Sequence, residues 1–200
     1  MRTDPSWPVA SPDGCLEVFL QALHAWTMPL RDGQTIIEVG CAEANWLALA
    51  QAALPNATLI GIDVRPCERP GIVMCGDVRR VDWPRASADW VVFISSLEHI
   101  GLGYYGDPVY PHGDAVALAK AHTWLKPGGS LYFDVPYRAT GTRSTPKERW
   151  YDTAMLHSLA QGWTVRREGG WRVATPTAIT EHVACWWTTP GGLPTVDAHA

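Results

Sequence analysis

The sequence predicts an α/β chain folded around an open, doubly wound, largely parallel sheet. Three observations carry this expectation. Apolar runs of strand length recur between residues 35 and 137, with helix-like stretches between them. One of these runs, DWVVFISS (89–96), is almost continuously apolar, as a central strand covered on both faces must be. The runs TIIEVG (35–40), TLIGID (58–63) and GIVMCGD (71–77) each stop at a glycine or an acid. Strands that alternate with helices at this rhythm pair in parallel through right-handed crossovers. Sheets of this kind bind ligands beyond the carboxyl ends of their strands, where the strand order reverses.

The elements follow in chain order. Ser11-Pro12-Asp13 has the signature of a helix start: a capping serine, a proline at the first helical position and an acid at the positive end of the dipole. Leu16, Phe19, Leu20, Leu23 and Trp26 then form one apolar stripe, which predicts a helix over 11–30 that stops before the Asp32-Gly33 turn. Residues 35–40 are the first strand, 43–53 an alanine- and leucine-rich helix broken by Pro55-Asn56, and 58–63 and 71–77 the next two strands. The fourth strand is followed by a helix over 113–125 and a tight turn, Lys126-Pro127-Gly128-Gly129. SLYFDVPY (130–137) is the fifth strand, 152–160 a helix, WTVRREG (163–169) and EHVACWW (181–187) the sixth and seventh strands, and 189–200 a tail. The expected organisation is a single domain over 1–200, with its ligand-binding core in 33–137 and a substrate-side part in 138–188.

Composition narrows the class. The 200 residues are 46% hydrophobic and 18% charged, too apolar for a disordered chain. No apolar stretch approaches the roughly 18 residues of a membrane span, and the first thirty residues lack a signal-peptide pattern. The expectation is a cytoplasmic protein with no membrane partner. A net charge of −4, with only three lysines, argues against a nucleic-acid partner. The five cysteines include no C-x-x-C pair, so a zinc site is not expected; they are read as small buried thiols in a reducing compartment. The eleven tryptophans are scattered and are assigned to core or pocket wall.

Candidate ligand residues fall at the strand ends. Gly40 lets backbone approach a ligand closely, and Glu38 precedes it as a possible acceptor. Asp63 can hold a ribose through its two hydroxyls. Asp77 can accept the exocyclic amine of a purine, with Val78 against the ring. Ser95-Ser96-Leu97-Glu98-His99 follows the central strand. Together with LKPGGSLYFDVP, where Leu-x-Pro-Gly-Gly precedes the fifth strand, these residues resemble the class I S-adenosylmethionine-dependent methyltransferases over about 33–137.

The resemblance implies a Rossmann-like sheet of seven strands, the last inserted antiparallel beside the fifth. It implies S-adenosylmethionine as cofactor, with Glu38 and Gly40 at its methionine part, Asp63 at the ribose, Asp77 and Val78 at the adenine, and Ser95 near the sulfonium. The sequence departs from the usual pattern in the first loop, where Ala42 and Ala44 stand at positions that are often glycine. The activity implied is in-line methyl transfer to a small-molecule acceptor, with His99 as a candidate base.

On the substrate side, the glycine-punctuated segment 101–114 supplies Tyr104, Tyr105 and Asp107, and the cations beyond the fifth strand include Arg138 and Arg149, which suit an anionic acceptor. Asp107, His112 and Asp114 could also hold a divalent cation, although no metal is expected. Two other readings compete. A nicotinamide-dependent oxidoreductase shares the strand–glycine–helix opening but needs G-x-G-x-x-G, where this chain has Gly40-Cys41-Ala42-Glu43-Ala44-Asn45. A binding module that keeps the fold without catalysis is compatible with the reduced glycine loop and the tryptophans.

Overall fold

The computed structural model describes residues 9–10, 30–43, 45–139, 143–174 and 179–191. The expected helix at 11–30 therefore lies outside the described residues except for Leu30, as do Ala44 and most of the expected tail. The strands are β1 (Val9–Ala10), β2 (Thr35–Val39), β3 (Thr58–Asp63), β4 (Ile72–Cys75), β5 (Ala88–Phe93), β6 (Leu125–Tyr137), β7 (Arg143–Ser144), β8 (Arg149–Trp150), β9 (Thr164–Ala174) and β10 (Ile179–Thr188). The helices are α1 (Trp46–Ala53), α2 (Gly113–Trp124) and α3 (Thr153–Leu159), with a 3-10 turn at Leu97–His99.

The main sheet has the order β1-β9-β10-β6-β5-β2-β3-β4. β2 pairs in parallel with both β3 and β5, β3 with β4, and β5 with β6. β10 lies antiparallel between β6 and β9, as the resemblance implied. The strand order reverses between β2 and β5, because the chain leaves β2 toward β3 on one side and returns with β5 on the other.

Strand alternation sorts the core into two layers. Ile37, Val91, Phe93, Leu131, Phe133, Val183, Cys185 and Trp187 pack with Ala117, Leu118 and Ala121 of α2 and Leu156 of α3. Ile36, Trp90, Val92, Tyr132 and Ala184 pack with Trp46, Leu47 and Ala50 of α1. Both faces are thus covered, which is what the continuous apolar character of β5 requires. α3 begins at Asp152, whose side chain accepts from the Met155 N–H at 2.9 Å and satisfies one of the free amides of the first turn.

The structure differs from the sequence expectation in four places. The main sheet has eight strands rather than seven, because Val9 and Ala10 pair in parallel with Arg172 and Val173 at its edge. A two-stranded ribbon, β7–β8, fills part of 138–152, where no element was expected. The Lys126–Gly129 turn is a bulge inside one long strand: Ala88 pairs with Leu125 and Trp90 with Ser130, leaving four residues looped out. Lys126 anchors that loop on Asp89 at 2.8 Å, and the Thr189 hydroxyl donates to the Lys126 carbonyl at 2.8 Å. β9 and β10 run longer than the apolar stretches alone suggested, since each supplies the other's hydrogen bonds over ten register positions.

Candidate functional site

A cleft of about 730 Å³ opens at the carboxyl edge of the sheet, over the point where the strand order reverses. Gly40, Asp63, Asp77, Val78, Ser95, His99, Tyr105 and Asp107 all line it. Glu38, Tyr104, Arg138 and Arg149 do not. Its wall also holds Ser96 and Glu98 of the segment after the central strand and Lys147 of the cationic stretch beyond the fifth, together with Glu43, Arg65, Glu148 and His182, which the sequence reading did not select.

Gly40 sits at φ +88° with its N–H on the Ile62 carbonyl at 2.8 Å. A Cβ there would run into the Cβ of Ser96 across the switch point, so the position needs glycine for its conformation and for space. Ser96 holds the same seam by donating to the Val39 carbonyl at 2.6 Å. Glu38 lies one pleat below, fully buried, and neither carboxyl oxygen has a hydrogen-bond partner among the described residues. Burial raises its pKa to about 8, against the opposing pull of Arg69.

Asp63 ends β3 with both oxygens engaged. Oδ2 accepts the Ala42 N–H at 2.9 Å, and Oδ1 accepts the Arg65 N–H at 2.9 Å and Nε at 3.1 Å. The Arg65 guanidinium also reaches Glu43 at 2.6 Å and lies under the Tyr105 ring, 4.2 Å from its centroid. Asp77 is engaged by a second arginine: Oδ1 accepts Arg79 Nε at 2.8 Å and Oδ2 accepts Nη2 at 2.7 Å. Burial pushes the Asp77 carboxyl up, but these bonds outweigh it and hold its pKa below the usual aspartate value. The expectation of an open acceptor for a purine amine at Asp77 needs correction: the side chain faces the cleft, but Arg79 occupies its oxygens.

Beyond β5, Ser95 adopts φ +47°, an uncommon conformation for a serine. The strained turn aims its N–H at Asp134 Oδ1, at 3.1 Å, and its hydroxyl at Glu98 Oε1, also at 3.1 Å. Both carboxyls are buried. Burial raises the pKa of Glu98, and it raises that of Asp134 well above the usual value, with the charge of Glu98 adding to the effect. Glu98 Oε2 has no hydrogen-bond partner among the described residues. His99 Nδ1 lies 2.6 Å from the Lys147 carbonyl, which can only accept, so Nδ1 carries the proton. Nε2 is left 3.7 Å from Glu98 Oε1. His182 closes the far side, stacked on Trp171 at 5.3 Å; burial alone lowers its pKa to about 4 and keeps it neutral.

The segment 101–114 is held from within. Asp107 accepts the Gly101 N–H at 2.5 Å and the Gly103 N–H at 3.2 Å. Arg149 is buried beneath it and donates to the carbonyls of Ile100, Tyr110 and Pro111, so this cation is a brace for the loop. Arg138 is exposed, with its guanidinium 5.8 Å from the Trp150 ring. Tyr104 is 54% exposed and meets Tyr105 edge-on at 4.9 Å. Among the described residues no three His, Cys, Asp or Glu side chains gather as metal ligands, and Asp114 instead accepts the Tyr151 hydroxyl at 2.9 Å. No helix of the described residues is long and apolar enough to cross a membrane.

With this geometry in hand, the chain can be compared with known proteins. Residues 78–166 match a family described as Caenorhabditis protein of unknown function, DUF268. No curated protein sequence matches. Among solved structures, the chain is similar to 1,6-didemethyltoxoflavin-N1-methyltransferase of Burkholderia thailandensis, at TM-score 0.60 and 16% identity over 95% of this chain and 98% of that one. It is similar to the N-methyltransferase NodS of Bradyrhizobium japonicum, at TM-score 0.62 and 15% identity over 90% and 89%. It is also similar to the [4+2]-cyclase SpnF, at TM-score 0.65 and 15% identity over 96% and 86%. The chain has the fold of the class I S-adenosylmethionine-dependent methyltransferases.

Proposed function

We propose that the protein is an S-adenosylmethionine-dependent methyltransferase acting on a small molecule. The observation that carries this reading is the meeting of Gly40, Asp63 and Ser95 on one cleft at the reversal of strand order. The fold alone does not carry it, since a neighbour of this architecture is a cyclase. The NodS structure holds S-adenosylhomocysteine, and the toxoflavin enzyme holds that product beside its substrate, which supports the cofactor assignment.

The residues present fit the cofactor. The cradle at Gly40, which a Cβ would fill, admits close backbone approach. Among the described residues six carboxyl groups line the cleft (Glu43, Asp63, Asp77, Glu98, Asp107 and Glu148) against Arg65 and Lys147, with Arg79 behind Asp77 and Asp107, and this acidic excess suits a ligand carrying sulfonium and ammonium charge. Gly40, Asp63, Val78 and Ser95 are the residues we assign to hold it. Asp77 shapes the adenine end through Arg79, and Glu38 acts from beneath the Gly40 turn. When bound, S-adenosylmethionine supplies a methyl group already activated for displacement.

The chain's own residues then align the acceptor and exclude water. His99 is the proton acceptor: Nδ1 is committed to Lys147, so Nε2 is free to take a proton, and Glu98 stands 3.7 Å away to stabilise the imidazolium. Tyr105 and Asp107 face the acceptor from the loop. An anionic acceptor would rest on Lys147, the one lysine or arginine of the 138–150 stretch that lines the cleft among the described residues.

One observation favours a module that binds without catalysis: Arg65 holds the carboxylate that the ribose needs. Thermal shift separates the readings. S-adenosylhomocysteine at about a hundredfold excess over Kd should raise Tm by about 5 °C or more. A shift with a nicotinamide dinucleotide instead supports the oxidoreductase, and a shift with neither supports the binding module.

A further inference from the structure

We propose that Cys41 and Cys67 form a thiol–disulfide modification site, oxidised by low-molecular-weight disulfides, whose closure weakens ligand binding at the Asp63 end of the cleft. The second half of this proposal rests on the cofactor reading above; the first does not.

The two sulfurs lie 3.7 Å apart, although the residues are separated by twenty-six positions and belong to different loops. Reaching an S–S bond of about 2.05 Å needs an approach of about 1.7 Å. Cys41 is buried in the turn directly after Gly40. Its place depends on Gly61, because a Cβ at that position would come within 2.7 Å of the Cys41 sulfur. Cys67 is half-buried in the β3–β4 connection, between exposed Pro66 and exposed Glu68, so a soluble oxidant reaches it first. Arg69, two residues on, ties the same loops together by donating to the Cys41 carbonyl at 2.9 Å and to the Ala42 carbonyl. The remaining described thiols are placed differently: Cys75 is exposed with its sulfur 3.6 Å from the Val64 carbonyl, and Cys185 is buried in the opposite core layer.

The chemistry follows from this asymmetry. Burial raises the pKa of the Cys41 thiol, so Cys67 is the attacking group. Its thiolate attacks one sulfur of oxidised glutathione, forming a mixed disulfide and releasing one glutathione. Cys41 then gives up its proton and attacks the Cys67 sulfur, and the second glutathione leaves. The protein loses two electrons and two protons, and oxidised glutathione becomes two molecules of the thiol. Closure draws the residue-41 turn toward the residue-67 loop. Ala42, the next residue, donates its N–H to Asp63 Oδ2, so the carboxylate assigned to the ribose moves with it.

The test treats the full chain with oxidised glutathione, blocks the remaining thiols and maps the peptides by mass spectrometry. A Cys41–Cys67 cross-link should form and open again with dithiothreitol. Calorimetry should show affinity for S-adenosylhomocysteine falling about tenfold in the oxidised protein and returning on reduction. Cys67→Ser, a small change at a half-buried position, should give no cross-link and no oxidant effect on affinity. A persistent glutathione adduct on Cys67, or a Cys67–Cys75 link, overturns the site. A Cys41–Cys67 link with unchanged affinity overturns the coupling. If neither form binds S-adenosylhomocysteine, the cofactor reading and the coupling both fall, and the peptide map still decides the thiol site.

Discussion

Asp63-Val64-Arg65 and Asp77-Val78-Arg79 are the same tripeptide at neighbouring strand ends, and the fold uses them differently. In both, an arginine folds back onto the aspartate two residues before it. The Arg65 side chain remains 32% exposed, with its outer contact on Glu43 at the surface. The Arg79 side chain is 8% exposed and roofed by the 101–114 segment, where it also meets Asp107 at 3.5 Å and the Pro108 carbonyl at 2.7 Å. Local sequence makes the clasp, and tertiary cover decides whether it opens. The Arg65 clasp lies at the cleft, at the carboxylate we assign to the ligand, whereas the Arg79 clasp is a structural joint between β4 and the loop.

Breaking the buried joint should have the largest effect. Arg79→Ala leaves the Asp77 and Asp107 carboxylates without their guanidinium and should destabilise the protein by about 3 kcal/mol. Arg65→Ala should cost less, about 1 kcal/mol, because the guanidinium is 32% exposed and the buried Asp63 keeps the backbone amides of Ala42 and residue 65. Equal losses in denaturant titrations would end the distinction. The clasp at Asp77 also predicts an acid limit. Its folded pKa is depressed, so its contribution is present above its unfolded value of 3.8 and disappears as pH falls through the folded one.

Glu38 gives the opposite pH dependence, because no arginine clasps it. The folded chain holds its proton more tightly than the unfolded chain, so stability declines as pH rises from about 4.5 to about 8. Glu38→Gln should remove this decline, matching the parent near pH 4.5 and exceeding it by a margin that grows steadily up to about pH 8. Thermal melts across that range check it, and a parallel pair of curves would refute it.

Two binding experiments sharpen the comparison at the exposed clasp. Asp63→Asn should weaken S-adenosylhomocysteine by about tenfold while the protein stays folded, a loss on the scale of one charged hydrogen bond. The smallest effect belongs to Arg65→Ala, which removes the guanidinium from both Asp63 oxygens while leaving their backbone amides, and should tighten the same ligand by about two- to fivefold. Weaker binding in Arg65→Ala would mean that the guanidinium contacts the ligand instead of competing with it.

The sheet was legible where burial leaves a period or a run in the sequence. β2 and β3 were found nearly to the residue because both of their faces are covered, β5 was placed but ends at Phe93, three residues before the apolar run does, and Gly40, Asp63 and Ser95 reach the cleft because strand ends are marked by glycine, acid and serine. β7 and β8 were missed because two-residue strands carry no period. Arg138 and Arg149 were read as ligands from charge alone, yet exposure on Trp150 and burial under a loop are tertiary facts. Glu148 and His182 reach the cleft from positions far along the chain, beyond any local signal, whereas Lys147 belongs to the cationic stretch that charge had marked. Arg65 and Arg79 could have been found, since the repeated Asp-Val-Arg is visible in the sequence.

The central claim is that the cleft at the Gly40 turn holds an adenosyl thioether or sulfonium. Isothermal titration of S-adenosylhomocysteine into the reduced wild-type protein tests it most directly. The account predicts saturable binding of one ligand per chain, abolished by Gly40→Val, whose side chain would fill the cradle against Ser96. Absence of binding to the wild type, or binding undiminished in a folded Gly40→Val protein, would contradict it.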